Sequence, residues 1–170
     1  MSKLAVGVDA GGTFTKIVVV SPEARILRQA QLPTEAGAGP AHFVERVAGL
    51  LAQWKAEGLK PRAFGLGLAG DVDSSRGMLR FAPNLRGWDG FPFAAVFSRR
   101  LGWPVVVEND ANAAIWGAYI AELKGRPKNV VGLTLGTGVG GGLILEGRLY
   151  RGSTGSAGEG RPIALRDSTL

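Results

Sequence analysis

Cysteine is absent from the 170 residues. That excludes disulfides, thiolate zinc sites and cysteine nucleophiles together. Long apolar runs are also absent. The first, Leu4–Val8, meets Asp9 too soon to be a signal peptide, and none approaches the roughly 18 residues of a membrane span. A cytoplasmic protein with no membrane partner is expected. Runs of one charge are missing too. The net charge is +6 and the pI about 10.2, yet the longest basic run is Arg99-Arg100. A dispersed basic surface attracts anionic ligands without offering a stripe for nucleic acid, so no nucleic-acid partner is expected. The one histidine, His42, is expected on the surface at the start of a helix.

Glycine is what the chain has in excess: 27 residues, against a usual share of roughly 7%. The glycines cluster at 11–12, 65–70, 136–142 and 152–160, mostly where apolar runs end. They read as loops with particular demands, not as a linker. The rest of the composition, 45% hydrophobic and 20% charged with mean hydropathy +0.11, is that of a globular chain.

The apolar periodicity orders the elements. "KLAVGVDA" (3–10), a glycine turn and "TFTKIVVV" (13–20) predict strand, turn, strand, and "RILRQAQL" (25–32) a third strand. Phe43, Val44, Val47, Leu50, Leu51 and Trp54 keep helical spacing, which predicts a helix over 41–57. "AFGLGLAG" (63–70) is a buried strand, "GMLRFAP" (77–83) a short one, and 91–102 a helix. "PVVVEND" (104–110) is a strand ending in an acid, and 111–125 a helix rich in small residues. "RPKN" then interrupts the pattern before "VVGLTLG" (130–136) and "GGLILEG" (141–147). The expected organisation is an α/β domain over 1–127 and, over 128–170, the start of a second unit too small to cover its own strands.

The stretch "TLGTGVGGGLI" (134–144) formally contains the dinucleotide fingerprint at Gly136, Gly138 and Gly141. A strand follows it rather than a helix, so the Rossmann reading fails. The protein-kinase glycine loop lacks its companion H-R-D and D-F-G loops, and no Walker A loop or G-x-S-x-G elbow exists. Two readings of this hairpin stay open: a phosphate cradle, or a backbone packed closely against another. "DAGGTFTK" (9–16) repeats the design, with an acid, a glycine turn and threonine. Two such hairpins suggest two jaws on one polyphosphate. Asp9 would then hold a hydrated Mg²⁺, or else merely form the turn. In "ENDAN" (108–112), Asp110 stands where a strand becomes a helix. A carboxylate there either caps the helix or accepts a hydroxyl proton during phosphoryl transfer.

Together "DAGGTFTK", "GLGLAGDVD", "APNLRGW", "VVVENDANAAIWGAY" and "LTLGTGVGGGLILEGRLYRGSTGSAGE" resemble the ROK sugar kinases, its bacterial glucokinases above all. The likeness runs in order from about residue 4 to 159. It implies a ribonuclease-H-like (actin-like ATPase) domain, a mixed sheet flanked by helices, followed by the first β-hairpin of an incomplete second domain. It also implies an ATP- and Mg²⁺-dependent hexose kinase acting on glucose or a relative. By resemblance Asp9 lies near the metal, Gly11, Gly12 and Thr13 hold the transferring phosphate, and Gly136, Thr137 and Gly138 grip the other side. Asn109, Gly70 and Glu159 would contact the sugar, with Asp110 as base.

After Glu159 the chain reads "GRPIALRDSTL", where the family continues with a metal- and sugar-contacting histidine and a cysteine-rich zinc loop. No zinc is therefore expected, and the departure reads as a truncation or frame change. The chain starts in its first strand, which argues against a helix-turn-helix repressor of the same family. The apolar strands Val130–Leu135 and Leu143–Leu145 are expected to be left uncovered, giving self-association through residues 130–146. The alternative to an active kinase is an inactive fragment that binds sugar or phosphate and self-associates.

Overall fold

The computed structural model describes residues 4–135, 139–155, 157 and 158. Its main sheet has five strands in the order β3-β2-β1-β4-β7. β1 (Leu4–Ala10), β2 (Phe14–Val20) and β3 (Ile26–Pro33) form an antiparallel meander, and β4 (Pro61–Leu68) and β7 (Val105–Asn109) extend it in parallel. This is the mixed sheet of the ribonuclease-H-like arrangement.

Strand alternation divides the sheet into unlike faces. In register, Val6 pairs with Val19 and Phe64, and Val8 with Ile17 and Leu66, all buried. On this side lie α1 (Pro40–Ala56) and α2 (Phe93–Leu101). Phe64 stacks on Phe97 at 4.5 Å between centroids, and Phe43 sits 4.9 Å from Trp88. Phe93, Phe97 and Trp88 are wholly buried, so this aromatic layer contributes a large apolar area to folding. Gly102 closes α2 in the left-handed conformation with φ of 71°, a geometry any β-carbon would oppose.

The opposite face carries Gly7, Asp9, Gly65, Gly67, Val106 and Glu108. Here α3 (Asp110–Ala121) starts: a β-carbon placed on Gly67 would lie 3.6 Å from both Ala113 Cβ and Asp110 Cα. A small hairpin of β5 (Asp71–Asp73) and β6 (Met78–Phe81) follows β4. The second sheet, order β10-β9-β8, contains β8 (Val130–Leu135), β9 (Val139–Leu145) and β10 (Arg148–Tyr150). Ile144, Ile115 and Tyr119 bury a small cluster between that sheet and α3, separate from the main core.

The expected elements are present within a few residues of their expected ends. β5 and β10 were not foreseen, because three residues are too few to display a period. No helix among the described residues is long and apolar enough to cross a membrane.

Candidate functional site

Because β1, β4 and β7 run parallel, their carboxyl ends adjoin: Ala10 is level with Leu68, and Leu68 with Asn109. This edge is where an open α/β sheet offers its ligand crevice. Asp9 points away from the core side and is exposed, and Lys16, its register partner on β2, shares that face. The turn beyond Asp9 is tied down from one side only. Gly11 N donates to Phe14 O at 3.1 Å, Thr34 Oγ1 to Gly11 O at 2.6 Å, and Thr34 N to Thr13 O at 2.8 Å. The N–H groups of Gly12 and Thr13 have no partner among the described residues. A β-carbon on Gly12 would meet Asn84 Cβ at 2.8 Å, so that glycine is required by the 83–85 loop whatever else it does.

Asn109 caps α3, its Oδ1 accepting from Asn112 N at 2.9 Å. Its Nδ2 donates to Gly70 O at 3.0 Å and Asp110 Oδ1 at 3.1 Å, and Ala111 N donates to the same Asp110 oxygen at 2.9 Å. Gly70 takes φ of 136°, and a β-carbon there would lie 2.5 Å from Phe81 O. It therefore anchors Asn109 through its carbonyl. Burial pushes the Asp110 carboxyl above its ordinary range; the Ala111 N–H pulls it down, and the Asp9 charge pushes it up again.

Asp9, Lys16, Asp110, Ala111 and Thr134 line one cleft of about 480 Å³, floored by Gly7 and Gly67. The first hairpin, the head of α3 and β8 thus meet in one crevice. A larger cleft, about 630 Å³, shares that floor and opens toward Trp116 and Leu149. The carboxylate of the larger cleft, Glu108, is engaged by neighbouring donors, whereas the smaller holds those of Asp9 and Asp110. Glu108 Oε1 accepts from Ser74 Oγ (2.9 Å), Asn109 N (3.1 Å) and Asn112 Nδ2 (3.3 Å), and its Oε2 from Arg151 Nε (2.6 Å). Among the described residues no group of three or more His, Cys, Asp or Glu side chains could cage a metal.

The second hairpin packs closely. The glycines of 140–142 do not stand clear to meet a ligand. A β-carbon on Gly140 would lie 2.8 Å from Ala111 Cβ, and one on Gly142 would lie 3.0 Å from Ile115 Cβ. Gly132 is crowded by Ile115 in the same way. These glycines let the hairpin lie directly on α3, which is the close-packing alternative. Gly136, Thr137, Gly138 and Glu159 lie outside the described residues. On the far side Val131, Leu133, Leu135 and Val139 are exposed, and β8 is an edge strand among the described residues. Ile144, expected to be bare, is buried against α3.

The reading from sequence missed Glu108, Arg151 and Ser74. Glu108 stands inside the quoted "ENDAN", but its partners lie 34 and 43 residues away, beyond any local pattern. Lys16, too, enters the cleft, through its pairing with Asp9 across the turn.

The ROK family model matches residues 5–164. The glucokinase of Streptomyces coelicolor is 42% identical over 92% of this chain and 48% of its own length. An N-acetyl-D-glucosamine kinase of Vibrio cholerae is 39% identical, covering 90% and 50%. A ROK family glucokinase from Streptomyces griseus, solved in complex with glucose and AMPPNP, superposes with a TM-score of 0.80 at 41% identity, over 92% of this chain and 49% of that one. The chain spans about half the length of the curated relatives it matches.

Proposed function

The chain belongs to the ROK family, and from that membership we propose that it carries the acceptor end of a hexose kinase, moving the γ-phosphoryl group of ATP to glucose or a close relative. The observation that carries this is Asp110. It opens α3 at the carboxyl end of β7, held by Asn109 and the Ala111 N–H, in the cleft that also holds Asp9 and Lys16. The glucokinase solved with glucose and AMPPNP supports both the sugar and the triphosphate. The match to an N-acetyl-D-glucosamine kinase keeps the substituent at the sugar's second carbon open.

In the reaction a sugar hydroxyl oxygen attacks the γ-phosphorus as its proton passes to Asp110, and the bond to the ADP oxygen breaks with its electron pair leaving on ADP. The half-buried, raised carboxyl of Asp110 makes it a better proton acceptor than an ordinary aspartate. Asn109, Gly70 and Glu159 are the sugar-side residues in this reading. The N–H groups of Gly12 and Thr13, unpartnered among the described residues, suit with Gly11 one side of the phosphates, and Gly136, Thr137 and Gly138 the other. Lys16 adds a positive charge across from Asp9. A lone exposed carboxylate such as Asp9 fits a Mg²⁺ ion that keeps most of its water and takes its other ligands from phosphate. When bound, that ion would neutralise charge on the β- and γ-oxygens.

We divide the chain functionally at about 127/128, with the second unit self-associating through residues 130–146. The bare row Val131, Leu133, Leu135 on an edge strand supports that surface. The deciding experiment is glucose phosphorylation by the purified chain with Mg-ATP, beside Asp110→Asn. Turnover lost by at least about a thousandfold in the variant is expected. A folded wild-type chain that neither binds nor phosphorylates glucose would sink the kinase reading for these residues.

A further inference from the structure

We propose that Arg151 and Glu108 form a positioning pair, through which the segment after β10 holds the Asn109–Asp110 end of the site in place. Its catalytic meaning rests on the kinase reading above; its structural content does not.

Glu108 is only 7% exposed. A carboxylate so placed needs a full set of donors and a countercharge. Ser74, Asn109 N and Asn112 supply donors to Oε1, and among the described residues Arg151 alone supplies the charge, at 2.6 Å on Oε2. Arg151 comes from beyond the second sheet, so the charge balance at the end of β7 depends on the other unit being docked. Removing the guanidinium leaves a buried charge uncompensated, the costlier half of breaking such a pair.

What Glu108 grips matters for Asp110. Its Oε1 holds Asn109 N and Asn112 Nδ2, the same two residues joined by the α3 cap. Asn112 Oδ1 is buried with no partner among the described residues, so the orientation of that amide depends on its Nδ2 bonds. Asn109 in turn donates to Asp110 Oδ1. A displacement of Glu108 is therefore passed to Asp110 through two hydrogen bonds. The segment itself is fastened beside the pair: Arg80 Nη1 donates to Thr154 O at 2.5 Å while ion-paired with Asp71 and Asp73. Asn112 Nδ2 also lies 3.5 Å from Gly155 O. Residues 151–155 are thus tied both to β6 and to the head of α3.

The test uses the full chain and three variants: Arg151→Gln, Arg151→Lys and Glu108→Gln. Backbone amide exchange over 109–113 and over 151–155 is measured at neutral pH. Arg151→Gln is expected to raise exchange at 109–113 about tenfold, about 40 residues from the substitution, without unfolding the main sheet. Arg151→Lys is expected to recover part of that protection, since it restores the charge but not the guanidinium geometry. Glu108→Gln keeps an acceptor at Oε1, and combined with Arg151→Gln should be no worse than the worse single variant. If wild type turns glucose over, Arg151→Gln should lower kcat about tenfold with KM changed less than about twofold, the signature of a misplaced reacting group. Unchanged exchange at 109–113 in Arg151→Gln overturns the proposal, with or without turnover. So does a kcat equal to that of wild type. A wild-type chain inert toward glucose overturns the kinase reading instead, and the exchange data then decide the pairing by themselves.

Discussion

The hairpin β1–β2 and the hairpin β8–β9 look alike as strings of letters, each a glycine turn with threonine between β-branched runs. In space they answer different neighbours. Around Gly11–Thr13 one glycine is required by Asn84, the carbonyls are held by Thr34, and two N–H groups have no partner among the described residues. In the second hairpin Gly132, Gly140 and Gly142 are required by a helix, Ala111 and Ile115 of α3. A glycine records that something comes close; it does not record whether that is a ligand, a loop or a helix. The two hairpins differ in support as well. The first lies on the main core and the second on a cluster of Ile115, Tyr119 and Ile144, with its outer face bare.

That contrast can be broken most forcibly at Gly12. Gly12→Ala sets a β-carbon against Asn84 Cβ at 2.8 Å and Asn84 O at 3.2 Å, within the main unit. A loss of about 1–3 kcal/mol is expected in urea unfolding. Asn84→Gly added to it should return part of that loss, because it removes the facing Cβ. A loss that Asn84→Gly leaves untouched would mean that the turn is not limited by this contact. Gly140→Ala ranks next. Its β-carbon would meet Thr134 Oγ1 at 2.7 Å and Ala111 Cβ at 2.8 Å. Because the second sheet rests on the smaller cluster, the damage should stay local: amide protection of 130–145 falls about tenfold while the main transition barely moves. A matching fall of the main transition would join the two hairpins into one cooperative unit.

These effects also mark how far the sequence was legible. Alternation along β1 and β4 separates Val6 and Val8 from Gly7 and Asp9, so the sheet, its buried face and the acid at its edge follow from a period of two. The spacing of Phe43, Val47, Leu51 and Trp54 fixes α1 equally well, since one face of a helix is a local property. Asp110 was legible because a strand ending in an acid is local too. The Glu108–Arg151 pair was not, because ion pairs across 43 residues leave no periodic trace. For the same reason the destination of Gly140 and Gly142 was not legible: their contacts are with α3, set by tertiary packing alone.

The bare outer face sharpens the contrast from the other direction. Leu133 and Leu135 are 67% and 82% exposed and touch neither core. Leu133→Lys with Leu135→Lys should therefore change the unfolding free energy by less than about 0.5 kcal/mol. The same pair of changes should weaken self-association, read by sedimentation at rising concentration, by at least about tenfold. A wild-type chain that sediments as a monomer throughout would remove the self-association proposal.

The smallest expected effect links the first hairpin to the head of α3. Asp110 is raised by burial and, among lesser causes, by the charge of Asp9. A carboxyl raised on folding leaves the native state holding its proton where the unfolded chain has released it, so stability declines as pH rises from the unfolded value, about 3.9, through the native one. The penalty is complete at neutral pH and absent below the unfolded value. Asp110→Asn keeps an oxygen to accept from Ala111 N and Asn109 Nδ2 while deleting the charge. It should raise the unfolding midpoint at pH 7 slightly, about 1–3 °C for a chain of this size, with the difference closing as the pH falls toward 3.9. Asp9→Asn should give a smaller rise of the same sign, because it removes one cause of the shift and leaves burial in place. If Asp110→Asn instead lowers the midpoint at pH 7, its carboxylate is held by the native structure more than it is penalised, and a raised, proton-accepting Asp110 is no longer tenable.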